Sequence, residues 1–302
     1  MTGIPLLVAC LAAGIFAARM LAQPARLARG ISWWVLRIAL PALVLSLLPR
    51  LTFERSLWFL VAAMWLVFLG GWAVAAIAGA RCGWPRARIG AVALTAGLGN
   101  TAFTGYPLIG ALRGTQALPY AAVADQLGCF IALATGGVLV ASWYGSERAH
   151  AGALIRRILL FPPFLACIAG FVAGQLGGWP AWFDQVLRIL GATLSPLALL
   201  AIGLQLHWRI DATRLRAVGI GLGWKLLAAP LLVWMFGIAT GARDLPLTVG
   251  VLQAAMGPMV SATILAEERG LDAAVGHAML AAGVLASLVT VPVIDALLGA
   301  PR

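Results

Sequence analysis

Ala96-Gly-Leu-Gly99-Asn100-Thr101-Ala-Phe103-Thr104-Gly105-Tyr106-Pro107-Leu108-Ile109-Gly110 places Gly, Asn, Thr and Pro in the middle of an apolar run. Pro107 lacks an N–H and its ring clashes with the carbonyl four residues earlier, that of Phe103, so an uninterrupted helix would leave that group unpaired. In lipid such a group costs several kcal/mol, so the segment must face protein or water. The reading predicts a helix broken at Pro107. A second segment, Gln253-Ala-Ala-Met256-Gly257-Pro258-Met259-Val260-Ser261-Ala262-Thr263, carries the same device at Pro258. Proline is a favoured first residue of a helix, so each break is expected to start a half-helix at its proline. The orphan N–H groups and macrodipole there give roughly half a positive charge per terminus. Brought together, the two starts make a pocket suited to a carboxylate. Gly99, Asn100, Thr101, Gly105, Pro107, Gly257, Pro258 and Ser261 are the expected binding residues, with backbone N–H groups taking the carboxylate and Asn100 orienting it. Gln253, on the helix before Pro258, is either a further donor or an interhelical hydrogen bond.

The rest of the chain supports a lipid setting. Of 302 residues, 21 are basic and 10 acidic, and 62% are hydrophobic; the mean hydropathy is +0.98. A membrane helix takes about 20 apolar residues, so ten would leave only about 100 for the ends and connections. That excludes a cytosolic enzyme, a nucleic-acid-binding protein and a secreted disulfide scaffold. The ten expected spans cover about 4–22, 32–49, 57–79, 88–112, 117–143, 158–177, 184–206, 216–240, 245–266 and 273–298. The first is expected to be a retained span, because its basic residues follow the apolar run instead of preceding it. Cys10, Cys82, Cys129 and Cys167 are scattered, form no metal-ligand set and read as core fillers.

Alternating connections allow the charge rule to be applied by counting. One set of loops holds twelve arginines: Arg26, Arg29, Arg81, Arg86, Arg88, Arg148, Arg156, Arg157, Arg209, Arg214, Arg216 and Arg269. The other set and the C-terminus hold five: Arg50, Arg55, Arg113, Arg243 and Arg302. Basic residues accumulate in cytoplasmic loops, so both ends of the chain are expected outside the cytoplasm.

The halves echo one another. Pro5 to Gly14 resembles Pro163 to Gly170, Leu36-Arg37-Ile38 followed by Pro41 resembles Leu187-Arg188-Ile189 followed by Pro196, and Pro107 answers Pro258. Five spans per half is an odd number, so two copies in series run in opposite senses. The expected fold is an all-α polytopic membrane protein with two inverted five-helix repeats, residues 1–150 and 151–302, and crossed broken helices in spans four and nine.

Asp125, near the centre of span five, needs a reason to be in lipid. The options are proton coupling, a hydrogen bond to backbone exposed at the break, and substrate contact. Lys225 and Arg188 are candidates to neutralise an anion, with Arg37 the first-half counterpart of Arg188. Arginines near span ends also snorkel to the headgroups. His150 and His207 fall in basic loops and His277 stands alone. Glu267-Glu268 reads as a helix end. Trp33, Trp34, Trp58, Trp84, Trp143, Trp179, Trp182 and Trp208 read as interfacial anchors. No Gly-rich phosphate loop with Gly-Lys-Ser or Gly-Lys-Thr occurs, and no cofactor, metal or nucleic-acid site is expected.

The Gly99-Asn100-Thr101 to Pro107-Leu108 stretch, the segment Leu197 to Leu206 and the Pro258 span running into Glu267 resemble the auxin efflux carrier family of bacterial permeases and plant auxin carriers. The resemblance covers nearly the whole chain. It implies a scaffold of spans 1, 2, 6 and 7, a transport unit of spans 3–5 and 8–10, elevator-like alternating access, a homodimer in the cytoplasmic membrane, and secondary transport of organic anions such as malate, malonate or auxin, not enzymatic chemistry. Leu108 and Met259 follow the prolines where plant auxin carriers have Asn, and no long cytosolic loop divides the halves, so the chain looks closer to the bacterial dicarboxylate-type members. The coupling ion is left open between proton and sodium. The alternatives are a sodium-coupled carrier of the bile-acid type and a membrane-embedded hydrolase.

Overall fold

The architecture comes from a computed structural model that describes residues 3–51, 54, 56–146, 160–206 and 212–299. Arg55, Arg148, His150, Arg156, Arg157, His207, Trp208, Arg209 and Arg302 lie outside the described residues. Every element named among the described residues is helical. Among the described residues, seven helices are long and apolar enough to cross a membrane: α1 (Gly3–Met20), α2 (Pro24–Arg50), α3 (Ser56–Cys82), α6 (Thr115–Tyr144), α8 (Ala181–Gln205), α9 (Ala212–Thr240) and α12 (Ala273–Leu298). Between them stand a shorter apolar helix, α7 (Pro162–Gln175), and two interrupted segments. The first is α4 (Arg86–Gly97) followed by α5 (Tyr106–Arg113). The second is α10 (Asp244–Ala254) followed by α11 (Val260–Glu268).

Two expectations are corrected by these boundaries. Helix α2 begins at Pro24, well before residue 32, because Pro24–Trp34 is an amphipathic helical stretch; Arg26 and Arg29 therefore sit on a helix and not in a connection. The first interruption lies at Leu98–Asn100, not at Pro107. The reason recurs in the chain. A π turn at Val35–Ala39 precedes Pro41, one at Thr101–Gly105 precedes Pro107, and one at Trp224–Ala228 precedes Pro230. Each proline then occupies the second position of the α segment that follows. There its missing N–H is not needed. Pro107 is thus absorbed by a local widening of the helix, whereas Pro258 lies within its interruption, two residues before α11 begins.

Packing follows glycines. Helix α1 lies on the second half of α8 where Gly14 and Gly203 meet backbone to backbone, with no room for a Cβ on either. Helix α7 packs on α2 with Gly170 against Leu48 and Gly174 against Pro49. Gly71 of α3 lies against Gly97 of α4, and Gly136 of α6 faces Phe68 of α3, so these small residues serve contacts inside one chain. Helices α4, α9 and α12 are tied at one end by Asp272. It accepts from Arg88 Nε at 3.0 Å and Arg214 Nε at 3.1 Å and caps the N–H of Val275. At the opposite end the buried Arg113 of α5 holds Asp295 Oδ1 and two α12 carbonyl groups, those of Asp295 and Gly299.

The tryptophans divide. Trp33, Trp58, Trp143 and Trp182 are exposed, as anchors require, but Trp34 donates to Thr193 Oγ1 and Trp179 to the Leu45 carbonyl, knitting α2 to neighbouring chain. His277 does not stand alone: its Nε2 is 3.7 Å from the Glu267 carboxylate.

Candidate functional site

The two interruptions meet. Gly99 and Pro258 form an antiparallel bridge, closed by Asn100 N–H donating to the Gly257 carbonyl at 2.7 Å and Met259 N–H donating to the Leu98 carbonyl at 3.0 Å. These bonds satisfy backbone groups that the breaks would otherwise leave buried and unpaired. Four helix ends therefore converge at one point: the C-termini of α4 and α10, the π turn that leads into α5, and the N-terminus of α11.

Asn100 caps the first restart. Its Oδ1 accepts from the Phe103 N–H at 3.2 Å, and its carbonyl accepts from the N–H groups of Thr104 and Gly105. This is the N-cap role for which Asn is suited. Its Nδ2, however, is buried and has no acceptor among the described residues. Thr101 donates from Oγ1 to Asp125 Oδ1 at 2.5 Å. Asp125 Oδ2 accepts from Tyr106 Oη at 3.1 Å and from Gln126 Nε2 at 2.7 Å. Asp125 itself sits in a π turn, Ala124–Cys129, a distortion that recurs at functional positions. Cys129 Sγ lies 3.4 Å from the Gly99 carbonyl, in donating position.

Asn100, Asp125 and Ser261 share the wall of a cavity of about 460 Å³, within the roughly 300–1,000 Å³ of small-molecule sites. Its other lining comes from α2, through Arg29, Ser32, Trp33, Leu36 and Leu40, and from Phe103, Phe130, Phe161 and Met259. Phe130 and Phe161 stack with ring centres 4.2 Å apart. The cavity is apolar on most sides, with Asn100 and Ser261 at the breaks, Asp125 beside them, Ser32 and Gln205 across from them, and Arg29 as its one lining cation among the described residues. The first turn of α11, from Val260 onward, opens on it without a side-chain cap.

The remaining expected residues lie around this cavity, not in it. Gly99 is where Lys225 presses: a Cβ there would stand 2.9 Å from Lys225 Nζ. Lys225 is buried and makes no ion pair among the described residues, and it stands outside the cavity lining. Gly105 packs on the Gln253 amide. Gln253 directs Nε2 to the carbonyls of Thr101 and Ala121, both at 3.4 Å, so it ties α10 to the first restart instead of facing the cavity. Gly257 packs on the Gly283 backbone of α12. Pro107 and Arg188 line a separate cavity, where Arg188, 57% exposed, pairs with Asp184 at 2.9 Å on α8. Sequence reasoning missed Tyr106, Gln126, Phe130 and Arg29. An aromatic hydroxyl six residues past Asn100 was a usable signal for the first; the others depend on which elements pack together.

Residues 1–294 match the family described as membrane transport protein. Over 199 residues the chain is 25% identical to an uncharacterized transporter of Methanothermobacter thermautotrophicus, covering 66% of this chain and 65% of that one. Over 123 residues it is 28% identical to an uncharacterized transporter of Methanocaldococcus jannaschii, covering 39% of each. The matches therefore span less than two thirds of either relative's length. Both relatives are named as transporters, and the family match runs through both interruptions and the cavity between them. The chain belongs to the auxin efflux carrier family of membrane transport proteins, and its long apolar helices make it a multi-pass membrane protein.

Proposed function

We propose that the protein is a secondary transporter of small organic anions, carboxylates such as malate, malonate or auxin-like acids, across the cytoplasmic membrane. The observation that carries this reading is the buried, unpartnered Nδ2 of Asn100 on the wall of a cavity that also receives the uncapped first turn of α11. Fixed donors beside a positive helix end suit a carboxylate, and the aromatic lining suits its carbon body.

Ten membrane crossings arise when α7 and the two interrupted segments are added to the seven long helices. Two inverted repeats, residues 1–150 and 151–302, are supported by packing: α1 lies on α8 as α7 lies on α2, the pairing expected if the first two spans of each half are equivalent. Helices α1, α2, α7 and α8 act as the scaffold. The unit built from α3–α6 and α9–α12 carries Gly99, Asn100, Thr101, Gly105, Gly257, Pro258 and Ser261 past it in an elevator-like step. The cavity lies on the seam between the two units, where such a step would change its access. Arg29 stands at the end that the excess of basic residues assigns to the cytoplasm, which draws anions to that mouth. A homodimer is expected from the family alone. A sodium-coupled carrier is the second reading, and uptake driven by a sodium gradient instead of a proton gradient would select it.

A ligand that binds only the folded state raises its stability by mass action. Malate, malonate or indole-3-acetate should therefore raise the melting temperature of the detergent-purified protein, with no such rise in Asn100→Ala. Equal stabilisation of both proteins by every acid would overturn the site.

A further inference from the structure

A second cavity, of about 730 Å³, lies between α1, the end of α2, α5 and α8, and Tyr106 and Pro107 are on its wall. Asp125 is on the wall of the first cavity. The Tyr106 hydroxyl donates to Asp125 Oδ2 at 3.1 Å. A carboxylate facing one cavity is thus hydrogen-bonded, through the partition, to a phenol facing the other.

Asp125 accepts three side-chain hydrogen bonds, from Thr101, Tyr106 and Gln126, and makes no ion pair among the described residues. This is the pattern of an ionised carboxylate, which only accepts. A protonated Asp125 has one hydrogen to donate, so one of the three donors must yield. An acceptor is at hand: Gln126 Oε1 is buried and has no partner among the described residues, while Nε2 of the same amide holds Asp125. Turning that amide over exchanges a donor for an acceptor. The other titratable groups within electrostatic reach are Tyr106, Cys129 on the same helix and Cys167 on α7. Lys225 of α9 stands near Cys129 and Gly99. Helix α3, packed on the same turn, has its titratable groups, Arg81 and Cys82, at its far end. Arg29 of α2 lines the same cavity, and the carboxylate has no second carboxylic acid beside it among the described residues.

We infer that Asp125, Tyr106 and Gln126 form a proton-operated switch that couples one proton to each transport step. The inference rests on the transporter reading above. Asp125 takes a proton from water in the first cavity. Its new O–H donates to Gln126 Oε1 after the amide turns, so Gln126 is the donor that yields, and Thr101 and Tyr106 stay bonded to the carboxyl group. Thr101, bonded to the same carboxylate and adjacent to Asn100, carries the change to the anion site. For release the carboxylic O–H turns to Tyr106 Oη, which takes that proton as its own hydroxyl proton passes to water of the second cavity; the amide then turns back and the three-donor state is restored.

Two measurements on the full chain in liposomes test this. In the first, infrared spectra are recorded through a pH titration. The wild type should show a buried carboxylic C=O band that appears and vanishes reversibly, absent in Asp125→Asn and displaced in frequency in Tyr106→Phe. In the second, labelled indole-3-acetate is followed in exchange and under an inward proton gradient. Tyr106→Phe should keep exchange but lose about tenfold or more of gradient-driven accumulation, the consequence of one lost hydrogen bond to a charged group. No titrating band in the wild type, or one that survives in Asp125→Asn, overturns the switch; so does gradient-driven accumulation in Tyr106→Phe equal to the wild type. If the acid is not carried at all, the infrared titration still decides the protonation of Asp125, and only the transport reading fails.

Discussion

The two interruptions touch each other, yet they are built from different materials. The first is surrounded by polar chemistry: Asn100 caps it, Thr101 binds Asp125, Cys129 approaches the Gly99 carbonyl, and Lys225 lies against Gly99. The second has no side-chain cap; it is held by close approach, Gly257 against the Gly283 backbone and Pro258 against Gly283. The first break can therefore present side-chain donors that change with charge, while the second presents a fixed backbone turn. A carrier needs both, a rigid half of the site to define position and a responsive half to report occupancy.

Substitutions can sharpen or break this contrast. The largest effect is expected from Gly257→Ala, because its Cβ would lie 2.6 Å from the Gly283 backbone. Backbone cannot swing aside, so overpacking should cost about 3 kcal/mol, read as an earlier thermal unfolding with loss of transport. Gly99→Ala meets chiefly the end of the Lys225 side chain, with the Gln253 carbonyl at 3.4 Å, and should cost about 1 kcal/mol. Equal losses from the two would erase the distinction between a steric and a polar break. Asn100→Ala removes a cap worth about 1 kcal/mol, and its larger consequence is functional: ligand-induced stabilisation should vanish. Lys225→Met should leave stability within about 1 kcal/mol or raise it, since a well-packed apolar side chain replaces a buried charge without an ion-pair partner. Anion affinity should fall less than in Asn100→Ala, as Lys225 stands behind Gly99 and outside the cavity. Smallest of all is Pro107→Ala, expected within about 0.5 kcal/mol of the wild type with uptake retained, whereas Pro258→Ala should impair uptake.

That last pair shows where the sequence could be read and where it could not. Polar and glycine residues inside an apolar run correctly located both interruptions to within several residues, because lipid penalises them regardless of fold. Their register was misread at Pro107 because a proline signals a missing donor, and a helix can meet that locally with a π turn. Pro41 and Pro230 use the same solution without any break. Asn100 was legible as a residue of the break through its place in the run, although its capping role was not. The Tyr106–Asp125 bond, the Gly257–Gly283 approach and the Gln253 ties to α5 and α6 chain segments were invisible, because each joins residues whose spacing carries no helical period. The helix-starting segment Pro24–Trp34 was missed for a related reason: its mean hydropathy is that of an amphipathic surface, not of a span.

The central claim, that an organic anion is carried at the meeting of the two breaks, is tested most directly by uptake of labelled malate, malonate and indole-3-acetate into liposomes holding the purified chain. Asn100→Ala liposomes run beside them, with and without an inward proton gradient. The account predicts saturable uptake of at least one acid, reduced about tenfold or more by Asn100→Ala as expected for a lost hydrogen bond to a charged ligand. Saturable uptake that Asn100→Ala leaves unchanged, or no uptake of any of the three under either condition, would contradict it.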